Sequence, residues 1–199
     1  MRAWWLRSVL VLQSPAAVFV ALRSDGGGET SDRSEPVLAI VLLTGVAFAL
    51  STSTAAHLLD DSDYDGLLVG VWVFVAGAIS GSFAYWLLGA VLHGSVRALG
   101  SHGSFRRSRH LLAFAAVPIV CSLLLWPVKL ALYGEKLFRT GGAGAGAGGR
   151  VFAALELLFA VWAAGLLVVG VRAVHGWSWA RALAAAAAPV AVGAALLVF

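Results

Sequence analysis

The sequence predicts an all-α polytopic membrane helix bundle, with five transmembrane helices behind an N-terminal interfacial helix. Three observations predict it. Hydrophobic residues make up 60% of the 199-residue chain. They gather into five blocks, 36–59, 67–96, 111–133, 151–171 and 180–199. Each comes near the roughly 20 apolar residues that a helix needs to cross a hydrocarbon core about 30 Å thick. Charged residues are only 12% of the chain, about half their share in an average soluble domain. So few charges could not cover a water-facing globule, and lipid must replace water over most of the surface. A helix is the spanning form because it satisfies its backbone hydrogen bonds within itself. Short connectors join the blocks, so residues 36–199 read as one membrane domain.

Residues 1–22 carry Arg2 and then an apolar stretch. Arg7 interrupts that stretch, Pro15 breaks it, and no A-x-A site follows, which argues against a signal peptide. The segment reads instead as an amphipathic helix at the interface, with Trp4 and Trp5 at head-group level. Residues 23–35 hold Gly26, Gly27 and Gly28 among mixed charges and read as a polar linker. Pro36 then opens the first span, where its missing N–H costs nothing. That span ends in Ser51-Thr52-Ser53-Thr54 and His57. Hydroxyls can return hydrogen bonds to their own helix, which makes them cheap in lipid.

Asp60, Asp61, Asp63 and Asp65 form an acidic turn. The second block is long enough to tilt or to project from the membrane. Arg97, Arg106, Arg107 and Arg109 crowd the next loop beside His102 and His110. Pro118 and Pro127 predict a kink or an unwound turn in the third span. Residues 129–150 include the run Gly141–Gly149, a low-complexity tether. The fourth span begins at Val151, and the basic connector Arg172–Arg181 leads to an Ala-rich last span.

Lys and Arg in short loops set orientation. With the N-terminus in the cytoplasm, ten of the 14 lie inside, leaving Lys129, Lys136, Arg139 and Arg150 outside. This predicts a multi-pass cell-membrane protein with an external C-terminus. The net charge of +4 belongs to these loops and to anionic lipid head groups rather than to nucleic acid. Cys121 is the single cysteine, so no intrachain disulfide can form.

Candidate sites follow from chemistry and spacing. Gly66, Gly70, Gly77 and Gly81 line one face of the second span in two G-x-x-x-G pairs, a helix-packing or self-association face. Ala78-Ile79-Ser80-Gly81 has the look of an intramembrane serine nucleophile, but no histidine in the last two blocks supplies a base. Gly144–Gly149 fits G-x-G-x-x-G formally but has no strand before it, so it reads as linker. The histidines lack metal-ligand spacing, and no cofactor or metal is expected. Glu156 is an acid well inside a span, a candidate for transport, though it lies near Arg150 and the head-group zone. The Arg97–Arg109 loop is an orientation signal and a candidate docking surface for anionic lipid or an acidic partner. Trp177 and Trp179 anchor the next loop at the interface.

The stretch Gly100-Ser101-His102-Gly103-Ser104-Phe105-Arg106-Arg107, followed by Leu112-Ala113-Phe114-Ala115-Ala116-Val117-Pro118, resembles the Yip domain family of Ypt-interacting proteins. So do Val161-Trp162 with His175-Gly176-Trp177-Ser178-Trp179-Ala180-Arg181-Ala182, and the early Ser14-Pro15-Ala16-Ala17-Val18-Phe19. The resemblance implies five spans with a cytoplasmic N-terminus. Eukaryotic relatives bind prenylated Rab-type GTPases in vesicle trafficking. This chain carries a much shorter N-terminal region than those members, and its Ala/Gly/Arg-rich, Lys-poor composition points to a prokaryotic one. The expected role is a non-enzymatic scaffold that organises lipids, other membrane proteins or further copies of itself. A small transporter using Glu156, the Pro-kinked third span and the Ser51–His57 run is the alternative.

Overall fold

The structure, a computed structural model, describes residues 10–24, 35–142 and 146–198, and these are helical with no strand among them. Trp4, Trp5 and the body of the polar linker lie outside the described residues. The α-helices are α1 (Pro15–Ser24), α2 (Glu35–Leu50), α3 (Gly66–Ala98), α4 (Phe105–Ala115), α5 (Val117–Ser122), α6 (Leu125–Tyr133), α7 (Ala147–His175) and α8 (Trp179–Val198). Two short 3-10 helices, Ala55–Asp60 and Gly134–Phe138, complete the path.

Among the described residues, four stretches are long and apolar enough to cross a membrane: Gly66–Ala98, Phe105–Phe138, Ala147–His175 and Trp179–Leu196. The first block differs from its expected single helix over 36–59. Its α-helix stops at Leu50, because the Ser/Thr run competes for the carbonyls that would continue it. Ser51 Oγ donates to the Ala47 carbonyl at 2.9 Å and Thr52 Oγ1 to that of Ala49 at 2.7 Å. The chain turns and resumes as the 3-10 helix ending at Asp60.

Asp65 caps α3 by accepting from the Leu68 amide at 2.8 Å. The third apolar block is broken twice, at Ala116 and at Leu123–Leu124. Each break lies shortly before a proline, Pro118 and Pro127, whose ring excludes the carbonyl four residues earlier. The helix of α7 starts at Ala147, so the expected tether is shorter than its glycine content suggested.

The central element is α4–α5. Nearly half (44%) of the most apolar window in Phe105–Phe138 is buried inside the protein, against 17–22% for the other three candidate spans. Phe114 and Leu111 meet Leu92 of α3, Val171 of α7 and Phe19 of α1 in one core. The N-terminal segment therefore gives apolar side chains to the protein: Val11 and Phe19 are fully buried. Gly170 makes room for the Phe19 ring, which would lie 3.0 Å from a Cβ there.

α3 runs along α2 at backbone distance. A Cβ on Gly45 would collide with the Gly77 carbonyl, and one on Gly81 with the Val41 carbonyl. Gly66 and Gly70 face open space instead. The outer face of α3 exposes Leu67, Val71, Phe74, Ile79 and Phe83 at near-helical intervals. An apolar surface of that extent marks contact with lipid rather than water.

Candidate functional site

The basic end of the bundle is assembled from two connectors, the α3–α4 loop and the α7–α8 turn. Arg97 sits in the last turn of α3, where the helix dipole favours a cation. Gly100 then takes φ +87°, a left-handed conformation that favours glycine. Ser104 caps α4 by accepting from the Arg107 amide at 3.3 Å. Between them, Ser101 Oγ accepts from the Gly103 amide at 3.1 Å and bonds to His175 Nδ1 at 3.2 Å.

The α7–α8 turn clasps this loop from the other side. Gly176 ends α7 at φ +65°, and its amide donates to the Arg172 carbonyl at 2.8 Å. That turn places the His175 ring 4.7 Å from Trp177 in a stack. The Arg181 guanidinium donates to the Leu99 carbonyl and lies 4.3 Å over the Trp177 ring. Arg172 lies 4.5 Å over Trp179. The His-Gly-x-Ser pattern near residue 175 thus has a structural explanation: a ring for Ser101, a left-handed stop, and a turn that aims Arg181 back at the loop. Arg172 and Arg181 join the end as exposed cations. Spacing alone did not associate them with the Arg97–Arg109 loop, because they follow it by more than sixty residues.

The four arginines expected to act together divide into two environments. Arg97 is exposed, and Arg106 and Arg107 are half-buried at the start of α4. Arg109 points into the bundle. Its guanidinium lies 3.8 Å from the Trp86 ring, 4.7 Å from Phe105 and 5.3 Å from Tyr85. Its stem packs on Gly89, where a Cβ would stand 3.3 Å from Arg109 Cδ. The Arg109 Nε is buried with no hydrogen-bond partner. Beside it lies a cavity of about 210 Å³ between α2, α3 and α4.

The other sequence candidates are placed as follows. Glu156 pairs with Lys129 at 2.8 Å, and Lys129 also lies 4.0 Å over the Trp126 ring. The carboxylate is thus held by a cation from α6. Ser80 Oγ reaches the Gly77 carbonyl of its own helix at 3.4 Å. Among the described residues, no group of three His, Cys, Asp or Glu could hold a metal ion.

At the opposite end, Asp60 accepts from the Thr140 amide at 3.0 Å and from its hydroxyl, and Arg139 Nη1 donates to the Leu59 carbonyl at 2.8 Å. Arg139 also approaches Glu135 at 3.6 Å. Two of the four cations that oppose the orientation rule therefore have acidic partners, Lys129 in Glu156 and Arg139 in Glu135. The Thr140 hydroxyl, with its amide second, holds the Asp60 carboxyl below its ordinary pKa.

No curated protein and no solved structure matches the chain. The family comparison does find a match, to the Yip1 domain, over residues 9–199. That match contains the loop, the kinked third block and the α7–α8 turn that build the basic end, and it leaves out only the first eight residues. The chain therefore belongs to the Yip1 domain family of multi-pass membrane proteins.

Proposed function

We propose that this protein is a non-enzymatic five-span scaffold of the cell membrane, with its N-terminus in the cytoplasm and its C-terminus outside. Its basic end gathers anionic head groups or the acidic face of a partner protein. One observation carries the reading. Arg97, Arg106, Arg107, Arg172 and Arg181 converge on one end of the bundle, and residues 97–110 and 172–181 contain no Asp or Glu. Each such cation near an anionic leaflet contributes about 1 kcal/mol. The first span is α2 with its 3-10 continuation. Sixteen residues of α-helix reach about 24 Å, and residues 51–59 supply the remainder, leaving Asp60 outside the span.

The test is lipid enrichment in reconstituted vesicles containing labelled phosphatidylglycerol and phosphatidylcholine. The native chain should concentrate phosphatidylglycerol around itself, with an effect that fades as salt rises. Reversing Arg97, Arg172 and Arg181 to Glu together should abolish the salt-sensitive part of the enrichment. Equal enrichment in native and reversed proteins would retire the scaffold reading.

A further inference from the structure

We infer that the cleft between α2, α3 and α4 is a stoichiometric site for one anionic phospholipid, with Arg109 as the residue that receives its phosphate. The inference rests on the membrane reading above but differs from it in depth and in number: one held lipid rather than a diffuse rim.

The argument starts from the wall that α3 presents. Ser82, Tyr85, Trp86 and Gly89 recur at helical spacing, so they share one face. Gly89 is buried and lacks a side chain, and that absence lets the Arg109 stem cross the helix. The guanidinium then lies on aromatic faces, with Trp86 nearest at 3.8 Å. Stacking of this kind uses the flat surface of the group. The N–H edges remain, and a guanidinium carries five donors and no acceptor. One of them, Nε, is buried and unpaired, a costly arrangement unless an acceptor arrives.

The cavity beside it is lined by Arg109, Arg106, His110, Ser82 and the Tyr85 ring on its polar side, with no carboxylate in the lining. The matching acceptor is an anion with several oxygens, and a phosphate fits the guanidinium fork. A volume of about 210 Å³ is several times the roughly 30 Å³ occupied by one water. It admits a phosphate group and not a whole lipid.

The opposite wall decides between a free phosphate and a lipid. It is built from Val37, Leu38 and Val41 of α2, with Leu38 58% exposed. Trp86, at the rim, is 55% exposed. An inorganic anion gains nothing from such a wall. The glycerol and acyl chains of a phospholipid would run out along it into the surrounding leaflet.

Native mass spectrometry of the full chain in neutral detergent tests this, with added phosphatidylglycerol, phosphatidylcholine or inorganic phosphate. One phosphatidylglycerol should stay bound per chain at salt high enough to screen the rim. Arg109→Gln should weaken it roughly tenfold or more, the cost of a lost hydrogen bond from a charged donor. Ser82→Trp should block it sterically without altering any charge, which guards against a folding defect in the arginine variant. The triple reversal at Arg97, Arg172 and Arg181 should leave the single lipid in place, so failure of the rim reading and failure of this one are distinguishable. Retention unaltered by both Arg109→Gln and Ser82→Trp would overturn the proposal. So would equal retention of phosphatidylcholine, or inorganic phosphate displacing the lipid at equimolar amounts.

Discussion

Lys129 and Arg109 each place a cation among apolar helices, and their surroundings differ in one respect. Both lie on a tryptophan, Lys129 on Trp126 at 4.0 Å and Arg109 on Trp86 at 3.8 Å. Lys129 also reaches the Glu156 carboxylate at 2.8 Å. Lys129 has a second ring, Phe152, at 5.9 Å, while Arg109 adds Tyr85 and Phe105 and leaves its Nε without an acceptor. A cation in low dielectric needs a compensating charge or good hydrogen bonds. The Lys129 region supplies one from within the chain. The Arg109 region supplies π faces and an adjoining cavity, so completion there must come from outside. The contrast separates a structural ion pair from a receptive site, where sequence alone offers Arg109 as one of four docking cations and Glu156 as the residue of the alternative transport reading.

Removing one partner is the strongest way to break this comparison. Lys129→Met strands the Glu156 carboxylate in a mostly buried position and should cost about 3–5 kcal/mol, read as a loss of thermal stability in detergent. Glu156→Gln in the same background should restore much of it. Arg109→Met strands no carboxylate and should cost clearly less in the lipid-free protein. Equal losses from the two variants would erase the distinction.

A smaller effect is expected at the seam joining α2 to α3. Gly81→Leu forces a side chain against the Val41 carbonyl, and overpacking of this kind costs about 1–3 kcal/mol. Because α2 forms one wall of the cleft, lipid retention should fall. The Lys129–Glu156 pair, between α6 and α7, should be undisturbed, which a double-mutant cycle can check. The smallest effect concerns acid. Asp60 has a lowered pKa in the folded protein, so its contribution is present above the ordinary carboxylate value near 4. It is lost as pH falls through the lower folded value. Hydrogen-exchange protection of the Thr140 amide should therefore drop below about pH 4, while that of the Ala116 amide, which donates to the Leu112 carbonyl, stays level. Parallel loss at both amides would mean that acid loosens the whole bundle.

How much was legible beforehand depended on the range of the interaction. The interruptions before Pro118 and Pro127 follow from ring geometry within a single turn. The back-bonding of Ser51 and Thr52 is equally local, and it ends the α-helix at Leu50 instead of merely lining it. The glycine face was readable as a stripe. Only packing assigned its halves, putting Gly77 and Gly81 against α2 and leaving Gly66 and Gly70 open. Glu156 was visible as an intramembrane acid, but its partner lies 27 positions away across the α6–α7 connection. Arg181 meets Leu99 across 82 positions and His175 meets Ser101 across 74.

By itself, then, the order of residues determined the solvent, the helical class, the approximate limits of the long apolar helices and the clustering of cations in particular loops. Each of these depends on composition or on spacing within a few turns. Tertiary structure decided which cation is neutralised, which glycine touches a neighbour, and that Arg109 leaves its own loop for an aromatic recess. Those outcomes depend on which helices become adjacent. Adjacency arises from the packing of the whole bundle, so no local stretch of sequence contains it.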